Sequence, residues 1–374
     1  MGSLIDDREA RLLLSHWCEA GERSVGQRVR RLGAPAVAEE IIAGISPLPA
    51  AAGFAGRVSG VGTVDEAVER WVRPAQTTAE RCGARYVVPG DREWPTQLDD
   101  LADAAPLGLW VAGAGDLRLL ALRSISVVGA RAATSYGELL ARELGAHLAQ
   151  TGWLTVSGGA FGIDAAAHRG ALAAGGATAC VLAGGVDVPY PRSHADLLAR
   201  IRESGVLVSE SPLGAAAMRH RFLTRNRIIA ALSRGTVLVE AAVRSGGRST
   251  VREARDLRRV VMAFPGPVTS VMSAGCHVVI REESAHLVTS PREVVALVEG
   301  QLAPAEEGQE AASDGLGWRE RRVLDAVPVR RPAPLASIGR LAGLGPTEAM
   351  AALGALDALG LVERAGDGWV RARA

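Results

Sequence analysis

The sequence predicts an α/β protein. A mostly parallel sheet with helices on both faces lies between a helical N-terminal module and a small C-terminal unit of helices and a β-hairpin. Three observations carry this. Between Ser124 and Val298, short apolar runs alternate with longer helical patterns, the spacing of parallel strands joined by crossover helices. Glycine-rich turns follow those runs. An acidic stretch with little to bury, Glu299–Asp314, then cuts off the last unit.

Composition narrows the function. The chain has 374 residues, 48% of them hydrophobic, so two or three domains with a sizeable core are expected. The net charge is +1, so any nucleic-acid or membrane site must be a local patch. All 42 basic residues are arginine, which closes lysine-dependent mechanisms. Cys18, Cys82, Cys180 and Cys276 lie far apart with no C-x-x-C pair, which argues against zinc and a disulfide framework and fits a reducing cytoplasm. Asp6, Asp7 and Glu9 are unlike a signal peptide, and no apolar run is long enough to span a membrane.

Residues 1–84 read as helical, with apolar repeats over Ala10–Trp17 and Ala36–Ile42. The run Val58-Ser59-Gly60-Val61-Gly62 is either a turn that meets a nucleic-acid phosphate or a plain turn between helices. Tyr86–Gly113 bridges to the middle domain, residues 85–298. There Ser124–Val128, Leu154–Ser157, Thr178–Leu182, Val206–Ser209, Thr236–Glu240 and Val260–Phe264 read as strands. Tyr136–Gln150, Ile163–Ala174, His194–Glu203, Phe222–Leu232 and Thr250–Leu257 read as helices. Residues 299–316 read as a flexible acidic linker. In 317–374, three helices (Trp318–Val327, Pro334–Ala342, Thr347–Leu359) precede a hairpin of Leu361–Arg364 and Gly368–Arg371, a winged-helix-like pattern. Its third helix carries only Glu348 and Asp357 as charges, so it reads as a protein-contact or regulatory module, not a major-groove reader.

In parallel sheets ligands bind beyond the carboxyl ends of the strands, so the chemistry is sought there. After the first strand of the middle domain come Gly129, Arg131 and Thr134; after the second, Ser157, Gly158, Gly159 and Gly162 open a helix. Such a turn is an anion site through its N–H groups and the helix dipole. It is neither a Walker loop nor a dinucleotide fingerprint. Gly184 and Gly185 follow the third strand, with Asp187 read as a sugar contact or helix cap. Asp164 and His168, four apart, read as an ion pair or loop-orienting hydrogen bond in preference to a metal pair. Ser245 and Gly246 precede another helix, and Glu240 reads as a general acid–base or, preferably, a partner of Arg225 or Arg227.

Arg219–Arg259 holds eleven arginines and three acids, so its local charge is 11 − 3 = +8. Within it Arg219, Arg221, Phe222, Arg225, Asn226 and Arg227 place one aromatic among basic groups, the combination that single-stranded nucleic acid requires. Arg225 and Arg227 cannot both share a helix side with Phe222, so part of this charge must point elsewhere.

Together these motifs resemble the DNA-processing protein A (DprA/Smf) family: Val128–Arg131 with Thr134, Tyr136 and Gly137; Val156–Gly170; Leu182–Tyr190; Ser209-Glu210; Phe222 with Arg225 to Ala230; Val239–Ala241 with Ser245 and Gly246; and Phe264–Gly266. The resemblance implies an extended Rossmann-like domain, an N-terminal module of the SAM or helix-hairpin-helix kind and a C-terminal winged-helix-like domain. It implies a non-catalytic homodimer that needs no cofactor or metal. Such a protein binds single-stranded DNA and loads RecA recombinase onto it in natural transformation. Arg131 matches the family's phosphate-gripping arginine, Gly158, Gly159 and Gly162 its cradling loop, and Phe222, Arg225 and Arg227 its rim. Met218-Arg219-His220-Arg221 departs from the Pro- and aromatic-rich run of many relatives. An enzyme resembling the nucleoside-monophosphate phosphoribohydrolases is the alternative, but their P-G-G-x-G-T-x-x-E run is missing.

Overall fold

The computed structural model describes residues 5–46, 48, 58, 60–300, 316–329 and 332–372. Most of the expected linker, and Ser59 of the glycine turn, lie outside the described residues. Two compact units emerge, Met1–Leu302 and Ala303–Ala374.

The first unit is built on a nine-stranded sheet. Its strands are β1 (Ala84–Val87), β2 (Leu109–Ala112), β3 (Ser124–Val128), β4 (Leu154–Ser157), β5 (Thr178–Val181), β6 (Val206–Ser209), β7 (Gly235–Leu238), β8 (Val260–Ala263) and β9 (His286–Leu287). Their order is β1-β2-β6-β5-β4-β3-β7-β8-β9. From β6 through β9 every pairing is parallel. β1 and β2 add an antiparallel margin within the segment expected to bridge into this domain. β1 reads Ala-Arg-Tyr-Val and is only partly buried, so it lacks the apolar run of the similarly short central strands; β2, Leu-Trp-Val-Ala, is fully buried.

The central strands β3 to β6 are buried along their whole length, so Val, Ile and Leu are interspersed there with small Ser, Thr, Ala and Cys side chains and no charged residue occurs. Helices Ser135–Gln150 and Ile163–Ala173 pack with Ile125, Val127 and Val237 on one side of β3 and β7. Helices Asn226–Leu232 and Gly247–Asp256 pack with Val128, Val156 and Leu238 on the other. Each such Ile, Val or Leu contributes about 1.5–3 kcal/mol through burial. The connection from β3 runs toward β4, whereas that from β7 runs toward β8. A topological switch point therefore lies between β3 and β7.

The N-terminal helices, Asp7–Trp17, Arg23–Leu32, Ala34–Ile42 and Val64–Cys82 with one wider turn at Val68–Val72, share a core with the sheet. Leu13, Trp17 and Val37 cluster with Tyr86, Trp110, Leu198 and Leu207. The Gly60–Gly62 turn is engaged locally: Gly62 N–H donates to Glu66 Oε2 at 2.8 Å, while Thr63 caps the helix.

In the second unit, helices Trp318–Ala326, Leu335–Ala342 and Pro346–Ala358 precede an antiparallel hairpin, β10 (Val362–Ala365) and β11 (Gly368–Arg371). Val323, Ile338, Leu353 and Leu356 form its core. Glu348 of the third helix pairs with Arg319 at 3.3 Å.

Candidate nucleic-acid interface

The loops after β3 and β7 splay apart at the switch point and leave a crevice of about 700 Å³. Gly129 and Arg131 come from the first loop, and Ser245 and Gly246 from the second. Arg219, Phe222, Arg225 and Asn226 of the basic helices complete its lining. A recess of about 130 Å³ continues beneath Phe222, between Gly158 and Gly159 after β4 and Gly184 after β5. Arg131, Phe222 and Arg225 line both.

The loop carrying Arg131 is held from below. Glu240, 2% exposed, accepts from Thr134 N–H and Thr134 Oγ1, each at 2.8 Å. Its backbone carbonyl accepts from Ala130 N–H at 2.7 Å. The expected pairing of Glu240 with Arg225 or Arg227 is therefore corrected. Its carboxylate stitches the β3 loop to the end of β7, a contact between segments over a hundred residues apart that no local pattern reveals.

Arg131 projects from this braced loop into solvent, and its guanidinium lies 4.9 Å from the Phe222 ring centre. Arg225 approaches the same ring from the buried side at 5.6 Å. It is 8% exposed and donates to the carbonyls of Gly158 and Val181, the latter at 2.5 Å. Asp164 is its carboxylate neighbour, 3.9 Å away. Burial pushes the Arg225 guanidinium down, and the carboxylate of Asp164 pulls it back up. Two guanidinium groups thus flank one aromatic ring, with a single buried, distant carboxylate between them and neutrality. An anion between them relieves that imbalance.

The glycine loop is shaped by this arginine. A β-carbon at Gly158 would stand 2.1 Å from Arg225 Nη2. Gly162 has φ +71°, and a β-carbon there would meet Ala130 O at 2.3 Å. At this turn Ala160 N–H donates to Asp164 Oδ2 at 3.3 Å, and Ile163 N–H, at the helix start, donates to Ala130 O. Arg225 adds a buried positive charge beside the backbone amides of this turn. Asp164 orients the loop, as one of its two readings held, but it makes no pair with His168. His168 is fully buried and bonds Thr178 Oγ1 at 2.7 Å.

Other expected site residues face away from the crevice. Ser157 is buried, its hydroxyl donating to Val127 O at 2.6 Å. Thr134 is engaged with Glu240. Gly185 packs under the 212–217 loop, which Asp187 fastens by accepting from Gly214 N–H at 2.9 Å. Arg227 is 5% exposed and grips Glu210 with a two-pronged contact at 2.9 and 2.7 Å. Arg221 turns toward Glu19, in the turn after helix Asp7–Trp17.

Two residues that the sequence reading passed over as ligand contacts stand at the rim. Phe161 is 50% exposed and Tyr190 48% exposed. The Tyr190 ring lies 5.4 Å from that of Phe222, and Phe161 meets the buried His194 ring edge-on at 4.6 Å. With only four phenylalanines and three tyrosines in the chain, an aromatic inside each glycine turn was the available signal.

The fold and the crevice define a doubly wound α/β protein whose switch point holds arginine and aromatic groups. A sequence profile for DNA recombination-mediator protein A matches residues 85–299. A Mycobacterium tuberculosis protein described as DNA processing protein DprA is 46% identical over 295 residues, 76% of each chain. The crystal structure of DNA processing protein A from Streptococcus pneumoniae superposes with a TM-score of 0.61 at 31% identity, covering 79% of this chain and 98% of that one. A Helicobacter pylori DNA processing protein A, whose structure concerns its single-stranded DNA binding mode, superposes with a TM-score of 0.52 at 25% identity, covering 58% and 96%. The chain belongs to the DNA-processing protein A (DprA/Smf) family, a family of DNA-binding mediators and not of catalysts.

Proposed function

We propose that the crevice binds single-stranded DNA without catalysis and that the protein, as a cytoplasmic homodimer, delivers the strand to RecA recombinase in recombination and DNA uptake. The observation that carries this reading is the Arg131–Phe222–Arg225 stack, one ring between two guanidinium groups, extended by Tyr190. Phosphate settles between the cations while a base stacks on the ring. This chemistry reads no base edge, so sequence preference is small. Duplex DNA hides its base faces and is disfavoured. Among the described residues no helix is long and apolar enough to cross a membrane, and no side-chain group is suited to hold a metal ion.

Filter binding of oligo-dT and its duplex at two ionic strengths tests the reading, with wild type beside Arg131→Ala. Wild type should prefer the single strand. The variant should lose about 1–2 kcal/mol, roughly five- to thirtyfold in affinity, and its log–log salt slope should fall by about 0.7, the value for one phosphate contact on a single strand. Equal binding by both proteins refutes the site.

A further inference from the structure

We infer that Glu19 is a positioning residue. Through its carboxylate the N-terminal helices fix the short rim helix that carries Phe222, and Arg221 belongs to this tether, not to the DNA contact. The inference rests on the reading of the crevice as a single-strand site.

The rim helix, Arg219–Thr224, has no buried residue of its own. Its position therefore depends on the contacts at its two sides and on buried Arg225, which joins it to the next helix. Successive helical residues point about 100° apart. Phe222 accordingly faces the crevice while Arg221 faces the N-terminal helices. Arg221 Nη2 lies 3.3 Å from Glu19 Oε2 and 3.4 Å from Oε1, and His220 Nε2 lies 3.2 Å from the same carboxylate. Arg221 is not among the crevice lining, whereas Arg219, Phe222 and Leu223 are. It lines instead a small gap against Cys18, Glu19, Gly21 and Glu22.

A second contact reinforces the first. Gly21 has φ +73°, and a β-carbon there would lie 2.9 Å from Thr224 Cγ2 and 3.1 Å from Arg227 Cζ. The turn after helix Asp7–Trp17 therefore seats directly on the end of the rim helix. Arg227 extends the same joint inward, donating to Thr224 O at 3.0 Å and to Ala104 O at 2.8 Å. The N-terminal helices thus grip the rim helix from behind while Tyr190 and Arg131 hold Phe222 in front.

Two electrostatic roles for Glu19 predict opposite signs. A carboxylate that merely competes with phosphate for Arg221 would weaken DNA binding, and its removal would tighten it. A carboxylate that anchors the helix supports binding, and its removal weakens it. With Arg221 outside the crevice, the anchoring role follows.

The test is a charge-swap cycle on the full chain, read by oligo-dT affinity and its salt dependence, together with amide hydrogen exchange on the DNA-free protein. Glu19→Ala should speed exchange across residues 219–225 by about three- to fivefold, the scale of a partly exposed pair, and leave residues 163–173 unchanged. Glu19→Arg and Arg221→Glu should each weaken oligo-dT binding. The double variant should restore it to within about twofold with the wild-type salt slope. If the double variant stays as weak as Arg221→Glu, with a slope shallower by about 0.7, Arg221 grips phosphate and the inference is overturned. Tighter binding by Glu19→Ala, or unchanged exchange at 219–225, overturns it as well. Wild type that ignores oligo-dT defeats the single-strand reading, while the exchange measurement still decides the tether.

Discussion

Lowering the pH from 7 toward 4 should loosen the glycine-loop side of the crevice through one side chain, His168. It sits on helix Ile163–Ala173, which carries that loop, and it is 0% exposed. Thr178 Oγ1 donates to Thr155 O at 2.7 Å, so it can only accept from His168 Nδ1, also at 2.7 Å. The proton therefore sits on Nδ1. Nε2 is buried without a partner, so protonating it would create a charge with nothing to receive it. Burial first, then the charges of Arg225, His194 and Arg169, push the imidazole down to about 3 from its ordinary 6.5. The unfolded chain thus binds more protons than the native one between these values. The stability contribution is complete above pH 6.5 and is lost as the pH falls toward 3. At about 1.4 kcal/mol for each tenfold change in acidity, the loss is about 3 kcal/mol by pH 4.5 and about 5 kcal/mol by pH 3. Domains of this kind hold roughly 5–15 kcal/mol in all, so the effect is large. Urea unfolding followed by far-UV circular dichroism at pH 7, 5.5 and 4.5 measures it, with wild type beside His168→Asn, whose amide can still donate to Thr178. The variant starts less stable at pH 7, and the gap should close by about 3 kcal/mol at pH 4.5. Asp164 has the opposite slope: burial raises its carboxyl above the usual 3.8, so its contribution fades as the pH rises past that value. Both proteins share that term. Parallel stability curves for the two proteins would refute the reasoning.

Three further outcomes follow from the crevice. Arg225→Met removes the donor to two buried carbonyls and leaves Asp164 without its cation; it should cost about 3–5 kcal/mol in urea unfolding, and an unchanged midpoint would contradict the geometry. Gly158→Ala sets a methyl group against an arginine that is hydrogen-bonded in place; it should cost about 1–3 kcal/mol and lower the melting temperature. Phe222→Ala should weaken oligo-dT binding by about 1–3 kcal/mol per stacked base with the salt slope unchanged, since the proposed role of the ring is to stack on bases and not to grip phosphate; a shallower slope in filter binding would count against base stacking.

The parallel strands were legible because burial on both faces leaves short Val-, Ile- and Leu-rich runs, and β3, β4 and β6 fall on the residues expected. The helix expected over Phe222–Leu232 is instead two, Arg219–Thr224 and Asn226–Leu232, joined at Arg225. The reading already required that Arg225 and Arg227 could not both flank Phe222. It could not say that Arg225 would turn inward beneath the ring, or that Arg227 would leave the rim for Glu210. Tyr190 and Phe161 were passed over because a lone aromatic in a turn has no periodic signature; they become rim residues only once β4 and β5 lie side by side.

The sequence by itself determined the layering, the strand ends at which the crevice opens, and the arginine-rich stretch that furnishes it. These follow from hydrophobic periodicity and glycine placement, which act over a few residues. Only the tertiary structure decided which arginines face the crevice. That choice depends on carboxylates and carbonyls brought from distant segments: Glu240 bracing the Arg131 loop, Gly158 and Val181 receiving Arg225, Glu210 taking Arg227 and Glu19 taking Arg221. A guanidinium leaves water only where such partners replace its hydration, and chain proximity does not encode where those partners will be.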